Sequence, residues 1–102
     1  MRRLVLADAA LADLRGIAEY TIERWGAAQK RRYLAALHAA VRRLRRNPTL
    51  GRNRPDLRRG YHTFLVARHV IFYRFDKDEC EIVRILHDRM DMHRVAEESP
   101  ER

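Results

Sequence analysis

A small α+β domain, with a helical hairpin packed on one face of a mostly antiparallel four-stranded sheet, is the fold this 102-residue sequence predicts. Three observations predict it. Apolar residues recur at helical spacing through the first half of the chain and alternate at period two through the second half. A Pro-, Gly- and Arg-containing stretch between the halves keeps neither period. The resulting order, strand-helix-helix-strand-strand-strand, gathers the helices to one side of the sheet rather than alternating them with strands.

"RRLVL" (residues 2–6) reads as a short strand, which must join the same sheet as the later strands because alone it cannot bury Leu4 and Leu6. Ala7, Leu11, Leu14, Ala18, Ile22 and Trp25 then follow at steps of four, three, four, four and three, one face of a helix. Asp8 is suited to cap that helix and Gly26 to end it. Leu34, Leu37, Val41 and Leu44 mark a second helix, stopped at Asn47 and Pro48. So short a join makes an antiparallel hairpin. "PTLGRNRPDLRR" (48–59) has the composition of a loop. "GYHTFLV" (60–66), "HVIFYRF" (69–75) and "CEIVRIL" (80–86) are rich in β-branched and aromatic residues, and "DKDE" is a turn between the last two, so they predict an antiparallel meander. Residues 90–98 predict a short closing helix within a single domain spanning residues 1–98, and "SPER" (99–102) is expected to fray.

Hydrophobic residues make up 46% of the chain and charged residues 35%, the balance of a highly charged surface around an ordinary core. The length suits one domain. No apolar run approaches the roughly 18–20 residues needed to cross a bilayer, and residues 2–7 are too short for a signal peptide, so a cytosolic protein is expected. Cys80, alone, excludes an internal disulfide framework and predicts a buried thiol. The net charge of +8 favours nucleic acid or an acidic protein as partner. The cations are 20 Arg against two Lys, and because they are scattered along the chain GC-rich coding explains the skew better than selection for guanidinium chemistry, although Arg still binds planar anions in two bonds wherever it clusters.

Arg52, Arg54, Arg58 and Arg59 form a candidate anion-binding patch, and Gly51, Pro55 and Gly60 suggest a loop held in shape. Arg68 and Arg74 share a strand face with Val70 and Phe72, and Arg84 shares one with Ile82 and Leu86, so each either ends in an ion pair or lines a groove. His87 falls where the last strand is expected to end. A general base there, with Arg54, Arg68 or Arg84 as phosphate ligands, would suit RNA cleavage, although no paired acid or second His accompanies it at a known spacing. The cluster of His87, Asp88, Asp91 and His93 matches no zinc signature, and neither a metal nor any other cofactor is expected. His38, His62 and His69 read as surface or packing residues. Trp25 and Tyr33, interleaved with Lys30, Arg31 and Arg32, read as core residues rather than base-stacking ones.

"GRNRPDLRRGYHTFLVARHVIFYRF" and "IVRILHDRMD", with the helix ending near "WG" and the long helix ending near "NP", together resemble the ParE toxins within the RelE/ParE superfamily. The resemblance covers nearly the whole chain. It implies a bacterial toxin that causes growth arrest by binding DNA gyrase and stalling it on cut DNA, with gyrase-bound DNA as a further partner. It also implies neutralisation by a ParD-like antitoxin whose C-terminal segment, commonly acidic, wraps the toxin and lays an amphipathic helix on the helical hairpin. On that resemblance Arg54, Arg58, Arg59, Arg84, His87 and Arg89 are the expected partner-binding residues, in a protein that is not an enzyme. The alternative, carried over from RelE-type relatives, is a ribosome-dependent mRNA endoribonuclease using His87, Arg54, Arg68 and Arg84. Against it, the chain lacks a lysine-rich basic set, holding only Lys30 and Lys77.

Overall fold

A computed structural model describes residues 1–98, which run β1 (Arg3–Leu6), α1 (Asp8–Trp25), α2 (Ala27–Arg46), a 3-10 turn (Pro48–Leu50), β2 (Arg52–Asn53), β3 (His62–Val66), β4 (His69–Phe75), β5 (Glu79–His87) and α3 (Met92–Glu98). The expected fraying of residues 99–102 lies outside the described residues. The strands form one sheet in the order β1-β5-β4-β3-β2, in which β1 runs parallel to β5 and the other pairs are antiparallel.

The fold class is the expected one, with five strands rather than four. The addition is β2, only two residues long, pairing Arg52 with Thr63 and Asn53 with His62 at the sheet edge. Two residues carry no readable alternation, which is why this stretch reads as loop. β3 starts at His62 rather than at residue 60, β5 runs from Glu79 to His87, and α3 starts at Met92 rather than at residue 90. The "DKDE" turn is present, its backbone fixed by Asp76 Oδ1, which accepts the N–H groups of Asp78 (2.7 Å) and Glu79 (2.8 Å).

Gly26 is the whole connection between the helices. Its φ of 88° lies in the region glycine enters without steric cost, and it serves both ends: its N–H donates to Ile22 O at 3.0 Å while its carbonyl accepts the Lys30 N–H at 3.1 Å. The expected cap at Asp8 is not formed. Ala7 holds the N-cap position without a side-chain bond, and Asp8 lies in the first turn, where its charge meets the positive end of the helix.

The two helices cover one face of the sheet. Ala10, Ile17, Leu37, Ala40, Val41 and Leu44 pack there against Ile71, Tyr73, Cys80, Ile82 and Ile85. Cys80 is fully buried, and burial pushes its thiol upward. The opposite face is also covered: Leu57 and Tyr61 of the segment after β2, with Val95 and Ala96 of α3, close over Val70, Phe72, Val83 and Leu86. A bulge serves both cores. Tyr73 pairs with Ile82 and Phe72 with Arg84, leaving Val83 as the extra residue. Ile82 therefore faces the helices while Leu86 faces the second core, so the single face expected for Ile82, Arg84 and Leu86 does not exist.

The orientation of α1 departs most from expectation. Its buried residues are Ala10, Ile17 and Thr21, whereas Leu11, Ile22 and Trp25 are exposed, Trp25 by 67%. Two apolar stripes compete on this helix, and the one with small side chains lets the backbone approach α2 and the sheet. Thr21 is accommodated because its hydroxyl donates to Ile17 O at 2.6 Å. Tyr33 is part-buried, and Trp25 is not a core residue.

Candidate functional site

β5 outruns its parallel neighbour. β1 accompanies it only as far as Ile82, so residues 83–87 form a sheet edge with α1 beside it. Asp13 of α1 fastens that edge. Its Oδ2 accepts the Ile85 N–H at 2.8 Å, and its carboxylate takes the Arg84 guanidinium in two bonds, from Nε at 2.8 Å and Nη2 at 2.9 Å. With the side chains 14% (Asp13) and 25% (Arg84) exposed, this is a strong, geometrically specified pair, and its hydrogen bonds raise the Arg84 guanidinium further above neutrality. The carboxylate also satisfies a strand-edge donor that would otherwise be open to pairing.

An open groove of about 450 Å³ lies between α1 and this edge, lined by Gly16 and Tyr20 of α1, Arg84 and His87 of β5, His69 of β4, and Met90. A polar cluster lies at its end. The Tyr33 hydroxyl accepts the Arg68 N–H at 3.3 Å and lies 2.5 Å from His69 Nδ1. The His69 and His87 rings meet edge to face at 5.5 Å, and Arg68 Nε lies 3.8 Å from Asp88 Oδ2. Burial first, and the neighbouring His87 second, hold the His69 imidazole below its ordinary value; burial likewise raises the Tyr33 phenol. His87 Nδ1 has two competing partners at 3.2 Å, the Arg89 N–H and Asp88 Oδ1. Nδ1 accepts from the backbone when it carries no proton and donates to the carboxylate when it does, as in the Nδ1–H tautomer or the protonated ring. Asp88 Oδ1, buried, has no other partner among the described residues.

The arginine loop lies on the other face. Arg54 grips Asp56 through Nε (3.0 Å) and Nη2 (2.8 Å), and His93 Nε2 lies 3.2 Å from the same carboxylate, joining the loop to α3. The hydrogen bonds from Arg54 lower the Asp56 carboxyl to about 2. The Arg58 guanidinium lies 5.7 Å over the Tyr61 ring, and Arg59 is exposed. α1 meanwhile presents Leu11, Tyr20, Ile22 and Trp25 to solvent.

The family model for the ParE toxin of type II toxin-antitoxin system, parDE, matches residues 4–92. The chain belongs to this family. It is 39% identical over 93 residues to Toxin ParE1 of Mycobacterium tuberculosis, covering 90% of this chain and 95% of that one. It is 37% identical to Toxin ParE of Escherichia coli, over 95% of this chain and 96% of that protein. Toxin ParE1 of Caulobacter vibrioides is 35% identical, over 89% and 94% of the two chains. A solved structure, the chromosomal ParDE TA system from P. aeruginosa, shares the fold with a TM-score of 0.75 at 22% identity, covering 85% of this chain and 96% of that one.

Within this ParE-family chain, the expected site residues are not gathered in one place. Arg84 and His87 share the groove beside α1, while Arg54 lines a separate depression with Arg52, Leu65 and Asp88. Arg68 stands at the turn between β3 and β4 beside Asp88, and Arg89 is exposed just past β5. Arg74 and Arg84 end in ion pairs, with Glu81 at 2.7 Å and with Asp13. The sequence does not single out Asp13, and it places Tyr33 in the core and His69 among surface or packing residues; Tyr33 does pack against the core, but both also join this polar cluster. Asp13 leaves one available signal, a carboxylate at the rim of a helix stripe, but its partner Arg84 lies 71 residues away. No helix of the described residues is long and apolar enough to cross a membrane.

Proposed function

We propose that this ParE-family toxin acts in the cytosol by binding DNA gyrase, without catalysing a reaction of its own, and is held inactive by a ParD-like antitoxin. The observation that carries the reading is the solvent-facing apolar surface of α1, in which Tyr20 is 56% and Trp25 67% exposed. Large aromatic anchors uncovered on a helix suit a protein partner far better than a small substrate. A cleft of about 190 Å³ between β1 and the two helices, lined by Leu4, Leu6, Leu14, Leu34, Leu37 and Val41, suits an apolar side chain of an antitoxin helix. Of the expected partner-binding set, Arg59 and Arg89 are free to meet an acidic partner and His87 lies in the groove. Arg54, Arg58 and Arg84 act through the surfaces they hold in place. Purified protein without antitoxin is expected to inhibit gyrase supercoiling and accumulate cleaved DNA; unchanged supercoiling overturns the reading.

The Tyr33, His69, His87 cluster supports a second reading, ribosome-dependent mRNA cleavage, since it places a phenol and two imidazoles together at the end of a groove. Against it, Arg54 and Arg84, two of the three guanidinium groups such a site needs, are already bound to carboxylates. If cleavage were the activity, His87→Gln would abolish growth arrest and leave antitoxin binding intact. Growth arrest by His87→Gln at the wild-type level excludes it.

A further inference from the structure

The positive charge of this chain is not spread as its arginines are. Residues 27–55 hold nine Lys and Arg residues and no Asp or Glu, which leaves thirteen cations against fourteen acids in the remainder. The whole net charge of +8 therefore resides in α2 and the edge strand that follows it. On α2, Leu37, Ala40, Val41 and Leu44 are buried against the sheet and α1, while Arg31, Arg32, Arg42, Arg43 and Arg46 are exposed. Among the described residues no cation of α2 forms an ion pair. Arg32 bonds only the neutral Gln29, and Arg43 lies 5.9 Å over the Phe64 ring. A folded face with this many uncompensated guanidinium groups repels itself, and it is stabilised by whatever brings negative charge to it.

We propose that the exposed face of α2 is a docking surface for the phosphate backbone of duplex DNA. Arg31 and Arg32 stand eleven residues before Arg42 and Arg43, which is three turns, or about 16 Å of helix. The two pairs thus lie on one face at a spacing that bridges the strands flanking a B-form major groove, which is about 12 Å wide. The exposed residues between them are Ala35, Ala36, Ala39 and His38, three small side chains and one imidazole that can itself meet a phosphate, and none of them is acidic. An acidic protein partner is the competing occupant of such a surface, and two features count against it. Protein interfaces centre on aromatic or large aliphatic anchors, and these are found on α1, not here. A nucleic-acid backbone is instead met by dense cations, which this face supplies with no carboxylate among them. A-form RNA offers a major groove too narrow for a helix, which favours DNA. The inference extends the gyrase reading to the DNA that gyrase holds, but free duplex tests it, so either can fail while the other stands.

The test is fluorescence anisotropy of the full chain with a labelled duplex of arbitrary sequence, from about 50 to 200 mM salt. The wild type is expected to bind and to weaken steeply with salt. Arg42→Gln, Arg43→Gln and Arg46→Gln combined should weaken binding at least about tenfold and reduce the salt slope by roughly one per arginine removed, with an unchanged circular-dichroism melt. Arg15→Gln, Lys77→Gln and Arg94→Gln combined, which remove equal charge elsewhere, should cost far less. The proposal is overturned if the wild type ignores duplex DNA at low salt, or if the two triple variants lose affinity equally. It is also overturned if polyglutamate or an RNA duplex is bound in preference to DNA.

Discussion

At Tyr73 a fully buried phenol joins two distant parts of the chain. It accepts the Gly51 N–H at 2.9 Å and donates to Pro48 O at 2.6 Å, so the 3-10 turn after α2 hangs on β4. Burial pushes this phenol up to about 12, and it stays protonated under all ordinary conditions. Tyr73→Phe leaves a donor and an acceptor without their partner and is expected to cost about 1–3 kcal/mol in urea unfolding. Gly51→Ala should be at least as damaging, because an added Cβ would lie 2.1 Å from the Tyr73 hydroxyl and 2.7 Å from Thr63 O, a backbone atom that cannot step aside. Asp13→Ala strands the Arg84 guanidinium and the Ile85 N–H together and should cost about 2–3 kcal/mol. Asp13→Asn, which keeps an acceptor for the backbone, should cost less, and chemical denaturation separates the two. His69 gives stability a pH dependence. Its folded-state value lies below the ordinary 6.5, so the unfolded chain binds this proton more readily. Stability therefore rises with pH through the window just below 6.5, where Asp13, His87 and Asp88 are the groups acting on the ring. His69→Gln should flatten that segment of a stability-pH curve.

At the scale of elements, most of the architecture is legible in the sequence because its periods are. The α2 face at Leu37, Val41 and Leu44, the three meander strands, the break at Asn47-Pro48 and the hinge at Gly26 all follow from spacing and turn chemistry. β2 is illegible because it is two residues long and defined only by its partner. The Val83 bulge is illegible because alternation appears intact on either side of it. On α1 the spacing is real but double, and only the approach of α2 and the sheet decides that Ala10 and Ile17 go in while Leu11, Ile22 and Trp25 stay out. The polar site reads less well than the fold, since Tyr33 and His69 meet across 36 residues and neither carries a motif. The orientation of α1 makes a direct prediction. Trp25→Ala should leave the melting temperature within about 2 °C of wild type, because an exposed side chain contributes little to folding, yet weaken antitoxin capture measurably by titration calorimetry. A large fall in melting temperature would place Trp25 in a core this fold does not give it.

For the molecule as a whole, the two faces of the helical hairpin differ in chemistry, aromatic and apolar on α1 and guanidinium-rich on α2. Scattered arginines hide that asymmetry in the sequence, because it arises from where the acids are missing. The sheet has a further consequence through its one parallel pairing, in which Leu4 lies beside Cys80 and Leu6 beside Ile82. During translation β1 has no hydrogen-bonding neighbour until β5 emerges. A nascent chain halted before residue 79 therefore carries a helical hairpin whose apolar side faces an unfinished sheet, and pulse proteolysis of a 1–78 fragment should find it digested at the rate of an unfolded polypeptide. Premature termination anywhere upstream of β5 is expected to leave β1 unpaired and the helical hairpin without the strand that closes its core, so the surfaces of the hairpin take shape only after β5 has been made.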